Sequence, residues 1–418
     1  MITNEIINRI IGIKESYELP QKLLAKLLDE DERELMFNEF LKYENNLSFD
    51  WFTNYFQQEQ GDRNSLKQDF TPKCLCYIVS KIAGQRATYT DVCSGIGGLT
   101  ISTLQENPDA FIRCEEISSR AIPMLIFNLA IRNVNGVVIH GDCLCNEVEL
   151  IYKLTKGEKF SRIDVLIDDD EAKTECVISN PPYSLKWDRV EEFSNDERFT
   201  KYGLPPKSKA DYGFILHGLN KLQENGIMIA ILPHGVLFRS SKEGEIRKRL
   251  VEQNKISAVI GLPDKLFLNT SIPVCLLIFS QNTENSDILF IDASKDFENK
   301  GKQNDMTIAQ IDKLISVYNL RLEVKKYSHI ATINEIRDND YNLNIPRYVD
   351  TYEKPEKVDI IATMNEIKQL DKEIQQINGK LSSMLKDMCS PNEKTESELK
   401  YAQITFDEML REIREEQK

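Results

Sequence analysis

The chain has 418 residues, 41% of them hydrophobic and 29% charged, which is the composition of a globular protein and length enough for roughly two to three domains. Its formal net charge of −14 argues against a chain that wraps nucleic acid by itself, because such a surface needs lysines and arginines to neutralise phosphates. No apolar run approaches the roughly 20 residues that span a bilayer, and the first residues lack the basic start of a signal peptide, so we expect a cytoplasmic protein.

The nine cysteines are an odd number and are scattered among apparent core strands. Two Cys-x-Cys pairs occur, at 74/76 and 143/145, but neither has the Cys-x-x-Cys partner that a zinc site needs. We therefore expect buried free thiols and no metal site.

Residues 1–65 carry apolar side chains at helical spacing. Ile6, Ile7 and Ile10 form one such set, and a leucine-rich set begins at Leu23. Nothing in this region suggests chemistry. We predict a small N-terminal helical domain that packs against the next domain or against a partner.

A helix signal follows at residues 70–84. Thr71 fits an N-cap and Pro72 fits the first helical position, where proline loses no helical hydrogen bond. Many such segments are only helix starts. This one comes directly before a second and more specific signal.

A glycine-rich turn joins a predicted strand at 87–93 to a helix. Glycines permit positive φ and let the backbone approach a ligand closely. A phosphate cradle fits poorly, since the spacing is not Gly-x-Gly-x-x-Gly and no Lys-Ser or Lys-Thr follows. The pattern Asp-x-x-x-Gly-x-Gly-Gly instead resembles the loop that binds S-adenosylmethionine (SAM), where the ligand's carboxylate meets the helix N-terminus. The residues that this resemblance assigns are Asp91, which would orient the amino end of SAM, and Gly95, Ile96, Gly97 and Gly98.

Two more predicted strands end in acidic residues. The strand at 110–114 leads to Glu116, about twenty residues beyond the glycines, where a carboxylate can accept hydrogen bonds from both ribose hydroxyls. We choose Glu116 over Glu115 because it leads into the next helix; a carboxylate that stabilises the helix dipole is the alternative. The strand at 136–140 leads to Asp142, and the resemblance implies that this residue faces the adenine of SAM.

A polar, acidic insertion of roughly 35 residues follows Asp142 and includes the acidic run 168–171. Runs of like charge are usually solvated, so we predict a loop there. A second polar segment, which contains Trp187 and Tyr202 and ends near residue 208, is a candidate mobile loop beside the target.

An apolar strand at 176–179 ends abruptly in Asn180, Pro181, Pro182 and Tyr183. The two prolines prevent both strand pairing and helix formation, so the strand must end at Ser179. The motif then lies at the carboxyl end of a strand, where open α/β sheets bind ligands. The carbonyls of Asn180 and Pro181 can accept hydrogen bonds from a planar amino group, and Tyr183 offers a flat face to a heterocycle. The tetrapeptide resembles the catalytic motif of SAM-dependent amino methyltransferases; a proline-rich turn is the alternative.

Strands complete the predicted sheet at 226–232, 258–262, 274–279 and 288–292. Strand, loop and helix alternate along the chain, and residues that can bind a ligand follow the carboxyl end of each strand. This predicts an α/β fold of the SAM-dependent methyltransferase class, with a Rossmann-like, mostly parallel, doubly wound sheet in a catalytic domain at 66–350. His234, which follows the first of these strands, is predicted to be structural because amino methylation needs no strong base.

The last segment, 351–418, is predicted to be helical and to bind a partner. Its apolar residues recur at three- and four-residue steps from Ile367 to Met388, which is typical of a heptad seam. Pro391 interrupts the pattern before a second polar helix. A helical hairpin folded on itself and a partner-binding coiled coil both remain open.

Five blocks in this order are similar to the modification (M) subunit of type I restriction-modification systems. They are Phe70-Thr71-Pro72, the glycine loop, Asn180-Pro181-Pro182-Tyr183, and the segments 233–238 and 342–348. The resemblance implies a site-specific DNA adenine methyltransferase that uses SAM and acts on double-stranded DNA. It also implies a specificity (S) subunit, with two M chains to one S chain, and a restriction (R) subunit as a further partner. Gln68, Phe70, Thr71, Pro72 and Asn180 are the residues it adds to the cofactor site.

The resemblance leaves rival functions open. An orphan DNA adenine methyltransferase would read DNA without a partner, and families that methylate RNA bases or protein glutamine share the Asn-Pro-Pro-Tyr motif. A catalytically silent scaffold is a third reading. The Phe70-Thr71-Pro72 block and the C-terminal seam favour the type I subunit, and the intact acids and glycines argue against decay.

Overall fold

The computed structural model describes residues 2–59, 70–168, 172–268, 271–282, 286–351, 359–389 and 392–416. The chain forms two compact units, Met1–Thr351 and Tyr352–Lys418. Among the described helices, none combines the length and the apolar character that a membrane crossing requires.

Helices of the first unit are α1 Asn4–Ile11, α2 Leu19–Leu28, α3 Glu30–Tyr43, α4 Thr53–Glu59, α5 Lys73–Ala83, α6 Gly98–Leu104, α7 Ile122–Ala130, α8 Glu197–Thr200, α9 Asp211–Asn220, α10 Lys242–Glu252, α11 Ile308–Leu320 and α12 Ile333–Asp338. Strands are β1 Thr88–Val92, β2 Phe111–Glu116, β3 Asn135–Asp142, β4 Glu147–Thr155, β5 Arg162–Leu166, β6 Thr174–Ser179, β7 Leu222–Pro233, β8 Ile256–Gly261, β9 Val274–Ser280, β10 Ile288–Asp292, β11 Glu298–Asn299, β12 Asn304–Asp305 and β13 Ser328–Ala331. The second unit consists of α13 Ile360–Asp387 and α14 Glu393–Glu416.

Eleven of these strands form one sheet in the order β13-β10-β8-β9-β7-β6-β1-β2-β3-β4-β5. Eight of these strands run in one direction, and β4, β9 and β13 run in the opposite direction. The strand order reverses between β1 and β6, which are paired in register with Val92 opposite Ser179. Ligands bind at such a reversal point in open α/β sheets. The predicted fold class, a mostly parallel doubly wound sheet, is confirmed.

The insertion after Asp142 contains two strands that were not predicted. They form the hairpin of β4 and β5, in which β4 pairs antiparallel with β3 and β5 pairs antiparallel with β4. Ile151, Tyr152 and Leu154 in the second half of β4 are buried, whereas residues 147–150 at its start are exposed. Residue 168 is exposed as predicted, and residues 169–171 lie outside the described part of the chain.

Helices α1 to α4 share one hydrophobic core with the sheet. Phe127 of α7 stands at the centre of that contact, with the rings of Phe37, Phe40 and Phe52 at 4.7–5.0 Å between centroids. Aromatic rings at this distance and at steep angles pack favourably. A domain boundary at residue 65 stays a prediction, since residues 60–69 lie outside the described chain.

In the second unit, α13 and α14 contact each other near their shared loop. Ser382 donates a hydrogen bond to Asp407 at 2.9 Å, and Lys386 forms an ion pair with the same carboxylate at 3.1 Å. The predicted seam of α13 remains 42–66% exposed from Ile367 to Met388. A hairpin is therefore formed, but it leaves the seam uncovered, and binding of a partner there stays a prediction.

Candidate active site

A cavity of about 1650 Å³ opens where the carboxyl ends of β1, β2, β3 and β6 meet. Pockets for one small ligand are usually about 300–1,000 Å³, so this space is large enough for two ligands side by side. The predicted site residues that line it are Phe70, Thr71, Pro72, Gly95, Ile96, Gly98, Glu116, Asp142, Asn180, Pro181, Pro182 and Tyr183. Asp91 and Gly97 lie behind the lining, and Gln68 lies outside the described residues.

The glycine loop is held in a conformation that other residues rarely adopt. Gly95 has φ of 58° and Gly97 has φ of 92°, both in the left-handed region. A Cβ on Gly97 would lie 2.9 Å from Cδ1 of Leu125. The loop is anchored by Ser94, whose backbone N–H donates to the carbonyl of Glu115 at 3.0 Å. Both the backbone angle and the space therefore require glycine at position 97.

Asp91 lies beneath this loop and is 1% exposed. Its Oδ2 accepts a hydrogen bond from the Thr100 hydroxyl at 2.5 Å, while Oδ1 has no partner among the described residues. Burial raises the pKa of Asp91 to about 7, against the opposing hydrogen bond from Thr100. A buried acceptor without a donor is costly, so the site suits a ligand that brings a cationic or donor group. That Asp91 orients the amino end of SAM stays a prediction, since Asp91 lies behind the cavity lining.

Glu116 is 5% exposed and lines the cavity. Its carboxylate accepts hydrogen bonds from the backbone N–H groups of Gly95 and Ser118, each at 2.8 Å. Burial raises its pKa, although these two bonds oppose the shift. A carboxylate has about four acceptor positions, so two remain for a diol. Helix α7 begins only at Ile122, so Glu116 is not in its first turn, and the helix-dipole alternative does not describe its position.

Asp142 lines the cavity beside Glu116. Its Oδ1 accepts hydrogen bonds from the backbone N–H groups of Leu144 at 2.9 Å and Cys145 at 3.4 Å. These bonds form a tight turn at the end of β3 and fix the direction of the side chain. The loop thus holds a carboxylate against the cavity, as the prediction of an adenine contact requires.

The Asn180 side chain is held at both ends. Its Nδ2 donates to the Thr71 hydroxyl at 2.9 Å, and its Oδ1 accepts from the Tyr183 hydroxyl at 2.8 Å. Phe267 packs edge-on against the Tyr183 ring, with 6.1 Å between centroids. Tyr183 therefore occupies one of the two acceptor positions on the oxygen that was predicted to bind a substrate amino group.

The prediction that Thr71 caps a helix is wrong. Helix α5 begins at Lys73 with Pro72 as its N-cap, and no side chain caps it. The Thr71 hydroxyl faces Asn180 instead. Pro72 has no N–H to offer and is extended, with ψ of 148°, which turns Thr71 away from the helix axis. The block therefore supplies a direct hydrogen-bond partner for the Asn-Pro-Pro-Tyr motif.

Several cavity residues were not predicted as site residues. Phe267, Leu268 and Ile272 line the cavity near Tyr183, and Leu268 and Ile272 are about half exposed. Glu115 also lines the cavity and is bonded to His217, which lies in the interior of α9. The sequence held no signal for this pair, because the two residues are 102 positions apart.

Two further predictions concern residues near the cavity. The segment after Tyr183 was predicted as a candidate mobile loop, but Trp187 in it is buried and packs against Phe193 and Phe199. His234 does not line the cavity; its Nε2 contacts the carbonyl of Val274 at 3.1 Å, and burial lowers its pKa. That geometry agrees with a structural role.

Comparison with known proteins gives consistent matches. A sequence-family model described as N-6 DNA methylase matches residues 47–357. The chain is 29% identical over 357 residues to the type I restriction enzyme MpnII methylase subunit of Mycoplasma pneumoniae. This alignment covers 82% of this chain and 63% of that protein. It is 34% identical over 219 residues to the MjaVII methylase subunit of Methanocaldococcus jannaschii, which covers 49% of this chain and 37% of that protein.

A solved structure is also similar. The type I restriction-modification system methyltransferase subunit from Streptococcus thermophilus matches with a TM-score of 0.64 and 32% identity, covering 76% of this chain and 64% of that chain. The chain thus spans less than two thirds of the length of each of these three relatives.

Proposed function

We propose that this chain, which belongs to the N-6 DNA methylase family, transfers a methyl group from SAM to the exocyclic amino nitrogen of adenine in DNA. The resemblance stated from the sequence blocks is confirmed by this membership together with the matches to type I methylase subunits. One observation carries the proposal: the glycine loop, Glu116 and Asp142 share a single cavity with Asn180 and Tyr183. A cofactor and a base can therefore meet in it.

The cofactor half would be formed by residues of β1, β2 and β3. SAM supplies an electrophilic methyl group on a sulfonium when it is bound. Glu116 would accept hydrogen bonds from the two ribose hydroxyls of SAM at its open acceptor positions. Asp142 would contact the adenine of SAM. Asp91 would attract the amino end through its unpartnered Oδ1. Phe70, Thr71 and Pro72 form the adjoining wall of the cavity.

The target half would be formed by the Asn180 motif. An adenine inside a duplex cannot reach the cavity, so the base must leave the stack. Tyr183 would then release Asn180 and stack on the base, while Asn180 Oδ1 and the Pro181 carbonyl accept hydrogen bonds from the amino group. These bonds aim the nitrogen lone pair at the methyl group, and the nitrogen's proton leaves to solvent after transfer. Most of the rate enhancement would come from positioning and electrostatics.

Sequence recognition would come from a partner. The net charge of −14 is unsuited to binding a phosphate backbone alone. We propose that the chain works as the modification subunit of a type I restriction-modification complex in the cytoplasm, with two M chains to one S chain. The exposed seam of α13 would take part in that assembly, and a restriction subunit would join the complex.

The test is transfer of labelled methyl from SAM to DNA by the chain, alone and with the S subunit encoded beside it. Methylated adenine that forms only with the S subunit supports the proposal. Activity of the chain alone would indicate an orphan methyltransferase. Binding of SAM without DNA methylation in either setting would contradict the proposal and favour RNA or protein glutamine as substrate.

A further inference from the structure

A chain of buried polar groups runs from Glu115, in the cavity lining, into the protein interior and is not part of any predicted motif. His217 of α9 is 1% exposed, Glu115 of β2 is 6% exposed and Arg198 of α8 is 7% exposed. The His217 Nε2 lies 2.6 Å from Glu115 Oε2, and Arg198 Nη1 lies 2.9 Å from His217 Nδ1. Asp196 completes the chain by accepting two hydrogen bonds from Nε and one from Nη2 of Arg198 at 2.7–3.0 Å.

The hydrogen-bonding roles in this chain follow from the arginine. A guanidinium can only donate, so His217 accepts at Nδ1 and its Nε2–H donates to Glu115. Burial raises the pKa of Glu115, but the hydrogen bond from His217 and the charges of Lys221 and Arg113 outweigh burial and hold the pKa below its ordinary value. Glu115 is therefore an ionised acceptor, and the imidazole has one fixed orientation.

The arrangement is a hydrogen-bonded network and not a set of metal ligands. Glu115, Cys143 and His217 place three ligand-type atoms within 4.8 Å of one another. The 2.6 Å between Nε2 and Oε2 is a direct hydrogen bond, however. Two ligands at about 2.0–2.1 Å from one tetrahedral zinc ion stand about 3.3 Å apart. Moreover, Nδ1 of the imidazole is already occupied by Arg198.

This network connects three loops of the cofactor half. Arg198 Nη1 donates to the carbonyl of Cys143 at 2.6 Å and Nη2 to that of Leu144 at 3.0 Å, and Asp142 caps the same turn. The carbonyl of Glu115 accepts from Ser94 in the glycine loop. The network therefore fixes the ends of β2 and β3 and the start of the glycine loop at the same time.

Helix α9 extends the connection to the target half. Asp211 at its start accepts hydrogen bonds from the backbone N–H of Ser184, next to Tyr183, and from Arg239, each at 2.8 Å. His217 lies six residues later, about 9 Å along the helix. One rigid element thus contacts both halves of the cavity.

We infer that His217 is a positioning residue that holds the Glu116 and Asp142 loops in the geometry that binds the adenosine part of SAM. This inference rests on the proposed function. Its distinguishing feature is that His217 acts through Glu115 and Arg198 and does not touch the ligand. Loss of its two hydrogen bonds should weaken SAM binding more than it slows the transfer step.

The experiment measures the Kd for SAM by calorimetry, and KM and kcat with DNA, in the full chain and its S complex. His217→Phe keeps a flat ring and removes both hydrogen bonds, so we expect Kd and KM for SAM to rise about 10- to 100-fold while kcat at saturating SAM changes much less. His217→Gln keeps an amide that can donate to Glu115 and should recover most of the affinity. His329→Gln makes the same change at a partly exposed histidine of β13 and should leave Kd unchanged.

Three outcomes would overturn the inference. One is a wild-type Kd in both His217 variants. Another is an equal loss of SAM affinity in the Phe and Gln variants together with equal loss of melting temperature, which would indicate a structural role only. The third is one zinc ion per purified chain. Where His217→Phe fails to fold, Arg198→Lys, at a residue outside the cavity lining, replaces it, and a rise in Kd of about 3- to 10-fold supports the inference while no rise overturns it.

The two proposals fail in different ways. A wild-type chain that binds SAM but methylates no DNA overturns the proposed function and leaves the binding constants of the His217 variants to decide the inference. Variants with wild-type Kd overturn the inference and leave DNA methylation intact. A wild-type chain that does not bind SAM overturns both.

Discussion

The two halves of the cavity differ in how they are prepared for their ligands. In the cofactor half, backbone groups fix Glu116 and Asp142, and acceptor positions remain open toward the cavity. In the target half, Asn180 and Tyr183 satisfy each other. The cofactor half is thus preorganised, whereas in the target half one of the two acceptor positions of Asn180 Oδ1 is already occupied by Tyr183. Substitutions in each half should separate SAM binding from methyl transfer.

The largest effect is expected from Asn180→Ala in the target half. It removes the carbonyl that aligns the amino group, so we expect kcat to fall by about 100- to 1,000-fold or more, by analogy with the loss of one aligned hydrogen-bonding group at a reacting centre. The Kd for SAM should stay within about threefold of wild type. Single-turnover methylation and calorimetry on the same preparation measure both. Retained turnover would show that Asn180 does not have the proposed role.

The next largest effect should come from Gly97→Ala in the cofactor half. The substitution combines a left-handed φ with a contact at 2.9 Å to Leu125, so the loop must shift. We expect the Kd for SAM to rise at least about tenfold, together with a loss of about 1–3 kcal/mol in unfolding free energy.

Gly12→Ala is the matched control for this change. Gly12 also has positive φ, at 80°, but nothing lies within 4 Å of its Cβ position, and it ends α1 away from the cavity lining. It should cost stability without changing SAM affinity. Equal SAM affinity in the two variants would contradict the role assigned to the glycine loop.

The raised pKa of Asp91 predicts that the stability of the chain depends on pH, with a smaller effect than the two substitutions above. Its folded pKa of about 7 exceeds the value of about 3.9 in an unfolded chain. The folded state therefore binds the proton more tightly, and the contribution of Asp91 to stability is full below about pH 4 and is lost as the pH rises toward 7. Asp91→Asn removes this contribution.

Melting temperatures between pH 5 and pH 8 test this prediction. The wild-type chain should lose more stability over that range than Asp91→Asn, on a scale of about 2–4 °C per kcal/mol. A cationic amino group bound near Asp91 favours the carboxylate, so SAM should bind more tightly as the pH rises through 7 in the wild-type chain but not in the variant. Parallel pH profiles for the two chains would exclude Asp91 as the titrating group.

The smallest effect should come from Tyr183→Phe. The ring that stacks on the base is kept, and the hydroxyl that occupies Asn180 Oδ1 is lost. Because a hydrogen bond contributes about 0.5–1.5 kcal/mol, we expect kcat/KM for DNA to rise by up to about tenfold. Tyr183→Ala, which also removes the ring, should instead lower kcat/KM. A decrease in both variants would mean that the hydroxyl takes part in catalysis.

The sequence predicted the features that are local in the chain. The glycine loop, Glu116 and the Asn180 motif each follow directly from a strand end, so a short stretch of residues determines both the structure and the position of the side chain. The apolar strands 226–232 and 274–279 were predicted for the same reason, since buried strands of this length have few alternatives.

The missed features depend on contacts between distant residues. Thr71 fits an N-cap by local rules, but its partner is Asn180, 109 positions away. The hairpin β4–β5 was missed because its polar residues fit a loop equally well until β3 provides a partner strand. Trp187 was assigned to a mobile loop by its polar surroundings, although aromatic neighbours bury it. Pairing and packing override local preference at all three positions.

The single cavity of about 1650 Å³ has a consequence for ligand design. Because no described element separates Glu116 from Tyr183 within it, an adenosine and an adenine joined by a short linker at the position of the transferred methyl could occupy both halves. Binding of the first half would raise the local concentration of the second, and linked ligands gain about 10²- to 10⁴-fold in avidity in this way. The affinity of such a linked ligand for the wild-type chain and for Tyr183→Phe would show how much the Asn180–Tyr183 hydrogen bond opposes binding in the target half.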